Sequence, residues 1–168
     1  MISVSGYYIV DRLLQTGRTC FYRAVCTQSG NPVILKTGLP DAPPSTVSKH
    51  LQREYEIGQS IISETTADYI SFNDDTSEPV LLLSDIEGTL LRDAIPERGF
   101  GLMQFLRIAL QLTQGLESIH RQRIVYNRLA PDFFLYHPAT HRVKFFDFEC
   151  ARALGDSQEG PLQETAWP

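Results

Sequence analysis

Two carboxylates spaced two residues apart, Asp147 and Glu149, close the stretch IVYNRLAPDFFLYHPATHRVKFFDFECA that runs from Ile124 to Ala151. Side chains so placed can offer oxygens to a divalent cation. They can equally pair with Arg128 in the same stretch, whose guanidinium never loses its proton in a protein. The ion pair is the favoured reading, because a fixed cation beside two carboxylates lowers their need for a metal. Far upstream, Lys36 ends the apolar run Val33-Ile34-Leu35. A lysine at a strand end near a carboxylate stays protonated and attracts a polyphosphate. Taken singly, such a lysine is more simply a surface charge.

These residues need a scaffold, and the hydrophobic pattern supplies one. Tyr7 to Leu14 and Thr19 to Val25 read as strands joined by the turn Gln15-Thr16-Gly17-Arg18. A second turn, Gln28 to Asn31, leads into a third strand, Pro32 to Lys36. Leu39 to Ser45 carries three prolines and is expected to be a loop. The helix after it should be capped by Ser45 or Thr46 and present Val47, Leu51, Tyr55 and Gly58 on one face. A further strand is expected within Ile61 to Ser71, then an acidic turn from Asn73 to Pro79. Val80 to Leu83 reads as a buried strand. Thr89 to Ala94 is predicted as a short helix stopped by Pro96. Leu102 to Arg121 is the clearest helix, with Leu102, Phe105, Ala109, Leu112, Leu116 and Ile119 as its apolar stripe. In the key stretch, Ile124 and Val125 form a short strand. A polar loop follows at Tyr126-Asn127-Arg128, then a hairpin turning through His137 to Thr140.

Composition narrows the classes. At 168 residues and 42% hydrophobic, the chain suits one globular domain or slightly more. A net charge of -5 gives no footprint for nucleic acid or an anionic membrane. Nothing in the sequence is apolar for long enough to span a bilayer, and Met1 to Val4 does not resemble a signal peptide. Cys20, Cys26 and Cys150 lack metal-ligand spacing and read as reduced, packed thiols of a cytoplasmic protein. The four histidines are scattered and are read as surface or turn residues. Texture changes from strand to helix near Glu87-Gly88. The expected layout is therefore a β-rich lobe over 1–87, a partial helical lobe over 88–154, and a polar, mobile tail over 155–168.

The order of these features resembles the protein kinases, in which a loop H-R-D-L-x-P-x-N precedes a hairpin closed by D-F-G. Leu129, Pro131, Asp147 and Phe148 match. The resemblance runs from about Tyr7 to Leu154 and implies an α+β kinase-like fold with an incomplete second lobe. It is also similar to the kinase-like domain that opens large bacterial, especially cyanobacterial, multidomain signalling proteins. Val33 to Lys36 resembles the V-A-I-K strand, whose lysine contacts nucleotide phosphates. Glu54, in Arg53-Glu54-Tyr55-Glu56-Ile57, stands for the helix glutamate that holds the lysine, with Glu56 the fallback. Leu81 to Leu90 resembles the segment linking the lobes, and Leu83 is its candidate contact to the nucleotide base. ATP and Mg²⁺ are the implied cofactors.

Departures from the family pattern fall where the chemistry lies. Leu14, Thr16 and Thr19 fill the positions of the phosphate-covering glycines, and Gly17 alone remains nearby. Arg128 stands where the catalytic aspartate belongs, and an arginine cannot accept a substrate's proton. Phe133 stands where the family has a metal-binding asparagine, and a phenyl ring offers Mg²⁺ no oxygen. Glu149 replaces the glycine of D-F-G and adds a second carboxylate, which as a metal ligand would supply the missing oxygen. The resemblance thus implies a pseudokinase with no intact catalytic residue: Lys36, Glu54, Gly17 and Leu83 left to nucleotide, Asp147 and Glu149 to metal. An active atypical serine/threonine kinase and a ligand-free interaction module remain as alternatives. No A-P-E follows, so the Leu102–Arg121 stripe is expected to be half covered, with a protein partner on the rest.

Overall fold

The computed structural model describes residues 4–74 and 78–155. The polar tail from 156 onward and the middle of the acidic turn lie outside the described residues. Five antiparallel strands form the main sheet: β1 (Tyr7–Gln15), β2 (Thr19–Cys26), β3 (Pro32–Gly38), β4 (Tyr69–Asn73) and β5 (Val80–Ser84). Their order is β1-β2-β3-β5-β4. Alternation along β3 sends Val33 and Leu35 to one face, with Ala24, Val80 and Leu82. Ile34 goes to the other face, with Phe21, Leu81 and Leu83. Lys36 shares the parity of Ile34, so the pleat turns it inward.

Against that inner face packs α1 (Pro44–Ser60), which buries Val47, Leu51, Glu54 and Gly58. The spacing of four, three and four residues is that of one helical stripe. A period of two on β3 and of 3.6 on α1 therefore aim Lys36 and Glu54 at each other. The expected cap at Ser45 or Thr46 is not formed. Pro43 is the flanking residue and Pro44 occupies the first helical position, where its fixed φ suits the helix and its missing N–H has no partner to lose. Tyr55 is only half-buried, and Glu54 takes its place on the inner face. Gly58 is required there, because a Cβ would stand 2.4 Å from the Tyr69 ring.

The second half of the chain is built around a three-stranded sheet, β6-β8-β9. Its strands are β6 (Thr89–Leu90), β8 (Phe134–His137) and β9 (Arg142–Phe145). The predicted helix at Thr89 is thus shorter than expected. Thr89 and Leu90 pair with Tyr136 and Leu135, and only Leu91–Ala94 is helical (α2). The segment before β4 is likewise not yet strand: it hydrogen-bonds β9 instead, Phe145 N–H donating to the Thr65 carbonyl at 2.7 Å and Ala67 N–H to that of Phe145 at 2.8 Å. Between the sheets, the Arg23 guanidinium donates to Asp85 and to the Gly88 carbonyl, both at 2.5 Å. Gly88 passes so near β8 that a Cβ would meet the Tyr136 carbonyl at 2.4 Å. One core runs on both sides of this link, from Phe21 and Ile34 to Phe134 and Phe145.

The long helix α3 spans Leu102–Arg121, as the periodicity predicts. Its buried line follows the predicted stripe in the second half, where Leu112 and Leu116 pack on the core beside Ile119, and departs from it in the first. Ile108, Gly115 and Ile119 are buried, whereas Leu102 is 71% and Phe105 56% exposed. Gly115 makes the closest approach: a Cβ there would lie 2.4 Å from the Phe145 ring, so the helix reaches β9 on its glycine. Leu102, Met103, Phe105, Leu106 and Leu110 are left as an exposed apolar row. The short strands β7 (Ile124–Val125) and β10 (Arg152–Ala153) pair antiparallel and close the loop between them. All three cysteines are free, but only Cys20 is buried, Cys26 being half-buried and Cys150 exposed. Among the described residues, no helix is long and apolar enough to cross a membrane.

Candidate functional site

Five charged side chains meet between β3, α1 and the loops on either side of the β8–β9 hairpin. Lys36 lies at the centre, fully buried, with its ammonium 4.8 Å from the centre of the Phe21 ring. It donates to Glu54 Oε2 at 2.5 Å, to Asp147 Oδ1 at 2.7 Å and to Glu149 Oε2 at 3.1 Å. Arg128 pairs through one terminal nitrogen with Asp147 Oδ2, and lies 3.5 Å from Glu149 Oε2. Its guanidinium also stacks on the Phe133 ring, 4.3 Å from the centroid. Asp147 reaches this position from a left-handed backbone conformation, φ 61°. A residue of its type tolerates that conformation better than most.

The remaining polar atoms are held by backbone and by two tyrosines. Glu54 Oε1 accepts from the Tyr69 hydroxyl at 2.9 Å and from Phe148 N–H at 3.2 Å. Phe148 N–H also donates to the Tyr69 oxygen at 3.1 Å. Tyr126, stacked among Phe134, Phe145 and Phe148, places its hydroxyl 2.5 Å from the Phe146 carbonyl. Arg53, next to Glu54, donates to the Ala151 carbonyl at 3.0 Å. Sequence reading passes over Tyr69 and places Tyr126 in a polar loop, whereas Tyr126 is buried. A core tyrosine whose hydroxyl has a partner carries no mark distinguishing it from any other.

Charge balance sets the electrostatics. Three carboxylates face two cations, so one carboxylate is in excess in a buried setting. Glu54 takes that role: burial, with Asp147 adding to it, outweighs Lys36 and pushes its carboxyl up to about 7. Glu149 is partly exposed, and although burial opposes it, Lys36 and Arg128 hold its carboxyl below the usual value. Burial also works against the charge on Lys36, but Asp147, Glu54 and Glu149 together keep that ammonium more firmly protonated than usual.

The sequence candidates divide by position. Lys36, Glu54, Asp147 and Glu149 are brought together, while Glu56, the fallback, is exposed. Of the two readings for the carboxylates, the ion pair with Arg128 is the one formed. Gly17 is exposed and a Cβ there would touch nothing within 4 Å, so the turn does not need a glycine. Its neighbours close the turn on themselves: Thr16 and Thr19 hydroxyls are 2.8 Å apart, and Thr19 N–H donates to Thr16 Oγ1 at 3.3 Å. That amide points inward to a hydroxyl. Leu83 is fully buried in β5 opposite Ile34. A cavity of about 460 Å³ opens between the β1–β2 turn and the start of α1; Gly17 and Glu149 line it, Lys36 and Leu83 do not.

A divalent ion has a formal set of ligands here, since oxygens of Glu54, Asp147 and Glu149 lie within 4.8 Å of one another. The residues as placed do not fit one. Both Asp147 oxygens are taken, by Lys36 and by Arg128. Both Glu54 oxygens accept hydrogen bonds, and Glu149 Oε2 faces the same two cations. Mg²⁺ demands near-octahedral oxygen contacts at about 2.0–2.1 Å, which these cation-paired oxygens do not offer.

The family model for the protein kinase domain matches residues 10–166. A probable serine/threonine-protein kinase of Streptomyces coelicolor is 29% identical over 92% of this chain and 24% of its own length. A probable serine/threonine-protein kinase of Thermomonospora curvata is 30% identical, over 92% of this chain and 21% of its own. A human serine/threonine-protein kinase is 31% identical over 88% of this chain and 43% of its own. The chain therefore spans less than half the length of each of these curated relatives.

Proposed function

The chain belongs to the protein kinase family, and from that premise we propose that it is a pseudokinase: a cytoplasmic, regulatory, nucleotide-binding domain without phosphotransfer. The observation that carries this reading is the ion pair of Arg128 with Asp147. A residue that cannot accept a proton stands in the place of the base, and it is bound to the carboxylate the family uses for metal. Loss of a positioned base costs about 10²–10⁴ in rate. Nucleotide binding is supported by the Lys36–Glu54–Asp147 frame, whose two ion pairs are 2.5 and 2.7 Å. Regulation would run through protein contacts on the exposed row of α3. There, Phe105→Ser should abolish a partner's binding without unfolding the chain.

The test combines a γ-phosphate transfer assay with thermal unfolding in millimolar ATP. Expected are no transfer to any protein, and an upward shift of the transition that disappears in Lys36→Ala. A ligand held at a hundredfold excess over Kd stabilises the folded state by about 2.7 kcal/mol. Transfer that depends on Lys36 would overturn the reading. It would favour instead a serine/threonine protein kinase, the activity the relatives' names carry and the one the same Lys36–Glu54–Asp147 frame serves in active members. That second reading requires Mg²⁺-dependent turnover lost in Asp147→Asn.

A further inference from the structure

We propose that Arg128 takes the place of the metal ion: it bars divalent cations from the Asp147–Glu149 carboxylates and bridges them to the phosphates of a metal-free nucleotide. The nucleotide half of this inference rests on the function proposed above; the metal half stands on geometry alone.

A polyphosphate entering this cleft meets a difficulty of charge. Asp147 and Glu149 would repel it, and a divalent ion relieves such repulsion by binding carboxylate and phosphate at once. Arg128 can do the same with fixed atoms. Its contacts to Asp147 and Glu149 both run through one terminal nitrogen. A guanidinium carries five N–H donors in a planar fork, so its other edge is available to phosphate oxygens, the geometry in which arginine excels. The side chain is 20% exposed, whereas Asp147 beneath it is fully buried. Arg128 therefore lies between solvent and Asp147, while Glu149 beside it is itself partly exposed. Stacking on Phe133, the residue without a metal-binding oxygen, fixes the plane of the fork. Two departures from the family pattern, at Arg128 and Phe133, thus act as one device.

The experiment has two arms on the full chain. In the first, Mn²⁺ binding without nucleotide is followed by electron paramagnetic resonance. Wild type should show no bound ion, and Arg128→Gln should gain a site that Asp147→Asn removes again. Mn²⁺ held by the wild-type chain and lost in Asp147→Asn would overturn the metal half, and this comparison needs no Arg128 variant to fold. In the second arm, ATP affinity is measured with EDTA and with Mg²⁺. Wild type should bind ATP at least as tightly in EDTA, and Arg128→Gln should weaken metal-free binding about ten- to a hundredfold, the worth of hydrogen bonds to a charged group. Arg128→Lys, which keeps charge but has no second edge, should weaken it as well. Binding that needs Mg²⁺ would overturn the bridge. Absence of ATP binding under both conditions would instead remove the nucleotide reading, leaving the first arm to decide the metal half.

Discussion

Glu54 is the residue whose protonation this site controls. Its folded carboxyl titrates at about 7, against 4.5 for the ordinary group. A raised folded value means the folded chain holds the proton more tightly than the unfolded one. Its contribution to stability is therefore full below about pH 4.5 and is lost as pH rises through 7. Glu149 runs the other way, contributing above its ordinary range and failing only in acid. Between about pH 5 and 8 the Glu54 effect stands alone of the two, so the free energy of unfolding should fall across that window. Urea titrations of wild type and Glu54→Gln would check this, the variant showing a flatter profile. An undiminished slope in the variant would move the titration to another group. At this scale the sequence is informative through the order of its motifs. Lys36, Glu54 and Asp147 are legible because together, in order, they resemble the kinase pattern, whereas each alone reads as a surface charge. The tyrosine hydroxyls that complete the site conflict with nothing and leave no trace.

Elements are placed by their punctuation and approach closest at their smallest residues. Turn-forming residues mark β1, β2, β3 and α3 to within two residues of their observed ends, because Gly, Pro and Asn act locally. The close contact of α3 with β9 was not legible: an apolar stripe counts large side chains, and this contact is made by Gly115. Gly115→Ala tests that account. Alanine gains about 1 kcal/mol in helix propensity over glycine. Here its methyl would overlap a Phe145 ring that Tyr126 and Phe134 already wedge, at a cost of about 1–3 kcal/mol. The expected net result is a lower midpoint of thermal unfolding, whereas Gly17→Ala, facing open space, should stay within about 0.5 kcal/mol of wild type. A stabilised Gly115→Ala would mean the helix can back away from β9.

Across the whole molecule, α1 is tied to the segment after the hairpin at two adjacent residues. Glu54 accepts the Phe148 amide hydrogen, and Arg53 donates to the Ala151 carbonyl. The five-stranded sheet and the smaller one are thereby coupled through a helix as well as through the Arg23 link. The α+β architecture was legible from the order of strands and helices; this coupling was not, since it joins residues that are distant in sequence. One hydrogen atom inherits a use from it. The Phe148 amide proton is shared by Glu54 and Tyr69, both presented from the main-sheet side, and it reaches solvent only when α1 parts from the segment after the hairpin. In deuterated water its rate of isotope exchange is then a clock for that parting. The clock should run slower with nucleotide present if the ligand clamps the two sides, and at an unchanged rate if it does not.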